Sequence, residues 1–193
     1  MMNLITTRLL TIACLLTAAA AAGETTWFKT FCQGNKATTY LHFYVHDLRA
    51  GPNATLFTVA TSSITATSPT AFGRINAFDD KITVGPDINS EEVGRAQGTT
   101  TSMDLNVLAS SMNLNFFLTS GEFNGSTVIV MGRNQFSEPA RELAVVGGIG
   151  AFRNAKGYAI TSSYSNDPVE NYSVLEYTIY VTTSWRCSNH ARD

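Results

Sequence analysis

The sequence contains few charges, few cysteines and no long hydrophobic stretch in its main body. Only 15% of its 193 residues are charged and no basic cluster occurs, so we expect no nucleic-acid partner. After residue 22 no stretch approaches the roughly 20 apolar residues that a membrane-spanning helix needs, and we expect no membrane anchor. The sequence also lacks a serine nucleophile elbow, a zinc signature and a haem motif. No metal site and no cofactor is predicted.

The first 22 residues have the layout of a secretory signal peptide. Residues 1–8 carry one positive charge and no acid, residues 9–16 are apolar, and residues 18–22 are alanines. This order of charged, apolar and small residues is typical of a cleaved leader, and we expect the protein to be secreted. The remaining chain of about 170 residues fits one domain. Arg8 is the only charged residue of the leader, so the remaining chain has 13 − 1 = 12 basic residues against 15 acidic ones and is weakly acidic.

Cysteines and sequons agree with secretion. Removal of Cys14 with the leader leaves Cys32 and Cys187, one near each end of the chain. An isolated pair in an oxidising compartment most simply forms one disulfide. A metal site is the weaker alternative, because two distant cysteines lack ligand spacing. Three sequons lie near Gly, Pro or Asp, and we expect a glycosylated surface loop at each: Asn53, Asn124 and Asn171.

Residues 38–193 have an all-β pattern. Thr, Val, Ile, Phe and Tyr are frequent, and Gly, Asn, Asp and Pro recur between the apolar segments. The predicted strands are residues 39–48, 55–62, 73–79, 93–105, 112–119, 126–133, 141–147, 157–164 and 173–184. We expect an extension over residues 23–37 that is polar and loose apart from Trp27, Phe28 and Cys32, and one short helical segment at 89–92. Eight or nine antiparallel strands can protect their edges as a closed barrel or as a sandwich, and both remain open at this point.

The segment VVGGIGAFRNAKGYA, residues 145–159, is rich in glycine. A dinucleotide fingerprint requires a third glycine three residues after the second, followed by a helix. Arg153 occupies that place and the following residues are strand-like. The glycines therefore predict a turn between two strands with close backbone packing.

Alternation along the strand YLHFYVHD places a carboxylate on the inward face. Leu41, Phe43 and Val45 share that face with Asp47, because side chains two residues apart point the same way. A carboxylate there is paired, hydrated or functional; the alternative is a strand-end residue that reaches solvent. His42 and His46 share the opposite face and, without a third ligand, are expected to be exposed or interface residues. His190 is expected to be so too.

A second inward polar residue follows from the segment RELAVVGG. Arg141 is in phase with Leu143 and Val145, and an inward arginine could orient a phenol or carbonyl oxygen; the alternative is exposure at the strand entrance. Asn134 is in phase with Val128 and Val130, a weaker signal because the alternate positions are apolar too. Asp79 and Asp80 are interpreted as a strand end and turn.

Five segments in order resemble the plant dirigent family: HFYVHD, FGRINAFDDKIT, VGRAQG, ELAVVGGIGAFRNAKGYA and the terminal Trp185-x-Cys187. The resemblance runs from about Cys32 to Cys187. It implies a secreted, apoplastic, eight-stranded antiparallel β-barrel with a central ligand cavity, usually trimeric and without an oxidative centre of its own. Such proteins impart stereoselectivity on phenoxy radical coupling or quinone methide cyclisation in lignan and phenylpropanoid biosynthesis. An extracellular laccase or peroxidase supplies the radicals.

The same resemblance assigns residues. Asp47 and Arg141 match cavity polar residues of the family and are the expected catalytic residues, with Asn134 and Phe136 expected to bind substrate. Lignan-forming members commonly have a second cavity aspartate in a GADP segment, where this chain has GRNQ. That departure resembles the branch that includes pterocarpan synthases. The alternatives are therefore dehydration of an isoflavanol through a quinone methide, or a non-catalytic barrel that binds a phenolic or glycan ligand.

Overall fold

The computed structural model describes residues 26–33 and 36–184, which form a sheet of ten antiparallel strands. The strands are β1 (Phe28–Gln33), β2 (Lys36–Leu48), β3 (Leu56–Ala60), β4 (Ile75–Thr83), β5 (Glu92–Ser102), β6 (Ala109–Leu118), β7 (Thr127–Gln135), β8 (Arg141–Ile149), β9 (Lys156–Asp167) and β10 (Tyr172–Thr183). Each of the nine predicted strands corresponds to one of β2–β10, with ends displaced by a few residues.

Eight of these strands close into a barrel. Neighbouring strands pair in the order β2, β10, β9, β8, β7, β6, β5 and β4, and the ring closes where β4 pairs with β2. That closing seam is short, since it joins residues 44–46 of β2 only to residues 81–83 of β4. β1 pairs with the first half of β2, and β3 with the first half of β4. The predicted eight-stranded antiparallel barrel is confirmed.

The inward face of the barrel carries the core. On β2 the side chains of Leu41, Phe43 and Val45 are at most 3% exposed, and β6 alternates in the same way with Leu114 and Phe116. Apolar residues two apart enter the barrel because successive side chains of a strand point to opposite faces. The alternation of residues along each strand therefore separates the side chains that point into the barrel from those that point outward.

Aromatic side chains fill one end of the barrel. The ring of Phe123 lies 5.0 Å from those of Phe28 and Phe152 and 6.4 Å from that of Trp27. Trp27 is 6% exposed, and the strand β1 that follows pairs with β2 at six positions. Residues 26–33 are thus part of the folded barrel. The expectation of a loose segment was wrong for the residues around Trp27, Phe28 and Cys32, the three positions excepted from it. Most β1 side chains are exposed, which explains the polar composition.

The described residues contain little helix. Residues 89–92 are not helical: the Ser90 N–H donates to the Asp87 carbonyl in a turn, and β5 begins at Glu92. The two short 3-10 helices are Gly121–Phe123 and Gly150–Phe152, each of which delivers its phenylalanine to the aromatic end of the barrel. Within residues 26–33 and 36–184, no helix has the length and apolar character needed to cross a bilayer.

The glycine-rich segment forms the turn between β8 and β9. Gly150 adopts a positive φ of 68° at the start of its 3-10 helix. A Cβ atom at Gly148 would lie 2.5 Å from the Cβ of Phe152. The glycines therefore permit a tight turn and close packing, as predicted, and they present no helix N-terminus to a phosphate.

A polar cavity at the open end of the barrel

The barrel encloses a cavity of about 770 Å³. It opens at the end opposite the aromatic plug, by which we mean the packed rings of Trp27, Phe28, Phe123 and Phe152. Two aromatic side chains of its wall, Phe116 and Tyr177, pack against each other and against Phe43 behind them, with ring centroids 5.1–6.1 Å apart. Burial raises the pKa of Tyr177 to about 12, so its phenol stays neutral. A cavity of this size with apolar walls is typical of a site for a small organic molecule.

The topology gathers polar side chains at the open end. The strands are antiparallel, so the last residues of β2, β5, β7 and β9 meet the first residues of β4, β6, β8 and β10 there. Inward positions near these ends carry polar groups in place of the apolar residues found deeper in the barrel. The polar side chains of the wall include Asp47, Asn76, Asp80, Ser102, Ser110, Asn134, Arg141, Ser163 and Ser173.

Asp47 lies on the cavity wall near the end of β2. Its side chain is partly buried, and its Oδ1 atom is fully buried without a hydrogen-bond partner among the described residues. Burial raises the pKa of this carboxyl, and the positive charge of Arg49 opposes that rise. The Asp47 carboxyl therefore lines the cavity, which is the inward position that alternation predicts and not that of a strand-end residue in solvent.

Asp80 is a second cavity carboxylate that sequence reasoning missed. It lies within β4 and is 4% exposed, so the interpretation as a strand end and turn was wrong. Burial raises its pKa to about 7; a hydrogen bond from Thr55 opposes the rise and the charge of Asp47 adds to it. The missed signal was alternation, because Asp80 is in phase with the buried residues Asn76, Phe78 and Ile82.

The two carboxylates belong to the two strands of the closing seam. The last register pair between β2 and β4 joins His46 to Lys81. Asp47 and Asp80 each lie one residue beyond that pair, and both line the cavity. The negative charge of Asp47 is close enough to add to the rise in the pKa of Asp80. Two carboxyls in such a position hold protons unequally, because ionisation of one disfavours ionisation of the other. The cavity thus carries two carboxyls, Asp47 and Asp80, which we call the acid pair.

Arg141 is buried in the cavity wall rather than exposed at the strand entrance. It is 6% exposed, and its Nη1 donates to the Glu138 carbonyl and to Ser163 Oγ, both at 3.3 Å. Its Nε has no partner among the described residues. Burial lowers the pKa of Arg141, yet a guanidinium remains charged in proteins. The wall therefore offers a cation with a free donor.

The two residues expected to bind substrate differ in depth. Asn134 is 4% exposed, and its Oδ1 has no partner among the described residues. Phe136 also lines the cavity but is 51% exposed at its rim, where its N–H donates to the Leu108 carbonyl at 3.1 Å. Asn134 can hydrogen-bond a molecule inside the cavity, while Phe136 can only contact one at the entrance.

The two histidines in the described part of the chain, His42 and His46, do not line the cavity. His46 is fully buried, so the expectation of an exposed or interface residue was wrong. Its ring contacts Thr83 Oγ1 at 2.6 Å and Tyr172 Oη at 2.5 Å, and burial lowers its pKa to about 4. His42 pairs with Glu176 at 2.8 Å on the outer face. No three metal-ligating side chains group together in the described part of the chain, and His190 lies outside it.

The predicted covalent features fall partly outside the described residues. Cys32 on β1 is disulfide-bonded, whereas Cys187 and the predicted leader over residues 1–22 lie outside the described ranges. The three sequon asparagines are exposed in turns: Asn53, Asn124 and Asn171. Their glycosylation, like the pairing of Cys32 with Cys187, stays a prediction.

Comparisons with known proteins agree on one family. A family model described as Dirigent-like protein matches residues 38–182. Dirigent protein 21 of Arabidopsis thaliana is 44% identical over 143 residues, covering 74% of this chain and 76% of that protein. Pterocarpan synthase 1 of Glycine max is 43% identical over 144 residues, covering 74% of this chain and 77% of that protein.

The fold is also similar to solved structures. The structure of the pterocarpan synthase dirigent protein GePTS1 matches with a TM-score of 0.72 and 41% identity, covering 78% of this chain and 93% of that one. That of the pterocarpan synthase dirigent protein PsPTS1 matches with a TM-score of 0.67 and 39% identity, covering 75% of this chain and 94% of that one.

Proposed function

This chain belongs to the dirigent family, and on that premise we propose that its barrel binds a phenolic quinone methide, or the alcohol that precedes it, and directs the stereochemistry of ring closure. The observation that carries the proposal is that the acid pair, Asp47 and Asp80, lines one cavity together with Arg141 and with the aromatic rings of Phe116 and Tyr177. Proton transfer, orientation of an oxygen and enclosure of aromatic rings are the three tasks of such a reaction.

The two carboxyls supply an acid and a base. The pKa of Asp80 is near 7, so this group is largely protonated at weakly acidic pH. Asp47 is the ionised partner in this proposal, because the positive charge of Arg49 opposes the rise that burial causes in its pKa. A group with a pKa near the working pH is efficient in proton transfer. Asp80 would donate its proton to a benzylic hydroxyl that leaves as water, as Asp47 accepts the proton of the conjugated phenol.

Ring closure restores both protons. A neighbouring phenol of the same molecule attacks the quinone methide carbon, and its proton returns to Asp80. The quinone methide oxygen takes back the proton held by Asp47 and becomes a phenol again. The sum is loss of one water, and no oxidant is consumed.

Arg141 and Asn134 would hold the oxygen atoms of the bound molecule. Arg141 offers its unpartnered Nε to the oxygen on which negative charge develops, and Asn134 offers its side-chain amide. Donors held in place before the reaction stabilise developing charge without reorganising. The aromatic side chains of the wall, Phe116 and Tyr177, would orient the rings of the bound molecule and so select one face for attack.

Guidance of radical coupling is the second candidate, favoured by the membership itself and by similarity to proteins named as dirigent proteins. It would require a laccase or peroxidase to supply phenoxy radicals. Similarity to two pterocarpan synthases at 43% and 44% identity, together with the acid pair, favours the route without an oxidant. Secretion to the apoplast and a homotrimeric assembly are carried by the family alone and stay proposals.

The test is product chirality from the purified protein. A racemic hydroxy-isoflavan is incubated without oxidant, and a monolignol is incubated with a laccase in a parallel reaction, each followed by chiral chromatography. We expect a single enantiomer of the ring-closed product in the first reaction, and at least about a hundredfold loss of rate in Asp47→Asn and Asp80→Asn.

Asp79→Asn is the matched control. Asp79 is adjacent to Asp80 on β4 but faces outward and pairs with Arg95 at 2.8 Å, so this variant should retain rate and selectivity. Selectivity in the laccase reaction alone would replace dehydration by radical guidance. Binding of the phenols without any effect on chirality in either reaction would leave only a carrier role.

A further inference from the structure

The closing seam of the barrel contains one residue that belongs to neither of its strands. Thr55 lies just before β3, and its N–H donates to the Leu48 carbonyl at the end of β2 at 2.8 Å. Its own carbonyl accepts from the Asp79 N–H of β4 at 3.0 Å. Direct pairing of β2 with β4 ends at His46 and Lys81. Thr55 therefore bridges the two strands where they separate, next to the two cavity carboxylates.

The hydroxyl of Thr55 continues this bridge into the cavity. Its oxygen lies 3.2 Å from the Leu48 N–H, 2.5 Å from Asp80 Oδ1 and 3.4 Å from the Leu48 carbonyl oxygen. A hydroxyl has one proton and two acceptor sites. The proton goes to the nearer and charged acceptor, Asp80, and the oxygen accepts from Leu48. The backbone of β2 thus fixes the direction in which Thr55 donates.

The side-chain carboxyl of Asp80 has no other hydrogen-bond partner among the described residues, so its orientation depends on this contact. Several charged groups on other strands and on β4 also affect the ionisation of Asp80, some favouring and some disfavouring its charged form. Asp47 and Asp79 disfavour its ionised form, Arg95 favours it, and Tyr177 on β10 is neutral at ordinary pH. By element, these groups are Asp47 on β2, Asp79 on β4, Arg95 on β5 and Tyr177 on β10, with Arg49 beyond β2 acting on Asp47.

We propose that Thr55 is a positioning residue for the acid pair, whose hydroxyl holds one oxygen of Asp80 in the seam, turns the other toward the cavity and stabilises the ionised carboxylate. Without it, only the more distant charge of Arg95 would oppose the effects of burial and of the Asp47 charge on the pKa of Asp80. The inference rests on the proposed function for its catalytic meaning, but its physical content can be measured without any substrate.

Thr55 is also the third residue of the sequon Asn53-Ala54-Thr55. The side chain needed for the predicted glycosylation of Asn53 is therefore the one that contacts Asp80, and replacing it would change both. Asn53 itself is exposed in a turn. Asn53→Gln removes the sequon while leaving the Thr55 hydroxyl in place, and every variant of the test carries this substitution.

The test compares Thr55→Val with Thr55→Ser in the Asn53→Gln background. Val keeps the shape of Thr without a donor, and Ser keeps the donor. The titration of Asp80 is followed by the ¹³C shift of its carboxyl in NMR, with the signal assigned by its loss in Asp80→Asn. A hydrogen bond to a charged group corresponds to about one pH unit or more. We expect the Asp80 midpoint to rise by at least that amount in Thr55→Val and to change little in Thr55→Ser.

The pH profile of the dehydration reaction should follow the titration. Because Asp80 acts in its protonated form, the alkaline limb of kcat should move to higher pH in Thr55→Val, and Thr55→Ser should restore it. An unchanged midpoint in Thr55→Val, or equal changes in both variants, would overturn the inference. Absence of any dehydration by the unsubstituted protein would instead overturn the proposed function and leave the titration result standing.

Discussion

At the scale of single residues, the burial of Asp80 links the site to stability. The carboxyl is 4% exposed and its folded-state pKa is about 7, against an ordinary value of 3.8. Between these two values the folded protein binds more protons than the unfolded chain, so the free energy of unfolding falls as the pH rises from about 4 to 7. Above pH 7 the ionised carboxylate is retained in the barrel at the expense of stability.

Asp80→Asn should therefore stabilise the protein at alkaline pH. At about 1.4 kcal/mol per pKa unit, we expect a gain of a few kcal/mol at pH 8 that shrinks toward zero at pH 4. Thermal unfolding between these pH values measures it. Asp79→Asn is the control, because the exposed Asp79 carboxyl carries no comparable burial. The same gain in stability at both pH values would contradict a buried Asp80 carboxyl with a raised pKa.

At the scale of elements, the last residues of β8, just before the turn to β9, include two adjacent glycines, Gly147 and Gly148, whose surroundings differ sharply. A Cβ atom at Gly148 would lie 2.5 Å from both the Cβ of Phe152 and the carbonyl oxygen of Thr127, while one at Gly147 would meet nothing within 4 Å. Phe152 belongs to the aromatic plug. Gly148 therefore sets how closely this turn packs against the end of the barrel.

Gly148→Ala should reduce the free energy of unfolding by about 1–3 kcal/mol, the usual range for overpacking. Gly147→Ala should change it by less than about 0.5 kcal/mol. Guanidinium denaturation followed by tryptophan fluorescence separates the two, since Trp27 lies in the plug. Equal losses in both variants would mean that the turn packs differently.

At the scale of the whole molecule, β1 connects the N-terminal part of the chain to the barrel. β1 pairs with β2 and its Cys32 is disulfide-bonded. The aromatic residues just before the cysteine, Trp27 and Phe28, fill the closed end beside Phe123. The N-terminal segment that fills the aromatic end of the barrel is thus held by a covalent bond as well as by packing.

If Cys32 pairs with Cys187, Cys32→Ser, Cys187→Ser and the double variant should lose the same stability, of about 2–5 kcal/mol. The losses are equal because each change removes the same bond. Peptide mapping without reductant should recover a fragment joining the two cysteines. Additive losses in the double variant would show that the two residues do not form one bond.

The sequence by itself determined the all-β class, nine of the strands, and the inward positions of Asp47 and Arg141. Alternation is a local property: once a segment is a strand, every second residue shares a face. The same rule would have placed Asp80 inward had residues 73–83 been taken as one strand, but the paired aspartates resembled a strand end. β1 was missed because its strand is paired but mostly exposed, which leaves no apolar pattern.

Only the tertiary structure decided which inward residues meet. Asp47 and Asp80 are 33 positions apart in the chain and become neighbours because β4 closes the ring against β2. His46 is outward by alternation yet fully buried, because Thr83 and Tyr172 from other strands contact it. Thr55 acts on Asp80 because the seam leaves a gap that it fills. Closure of a barrel depends on all of its strands together, so no single segment of the sequence records it.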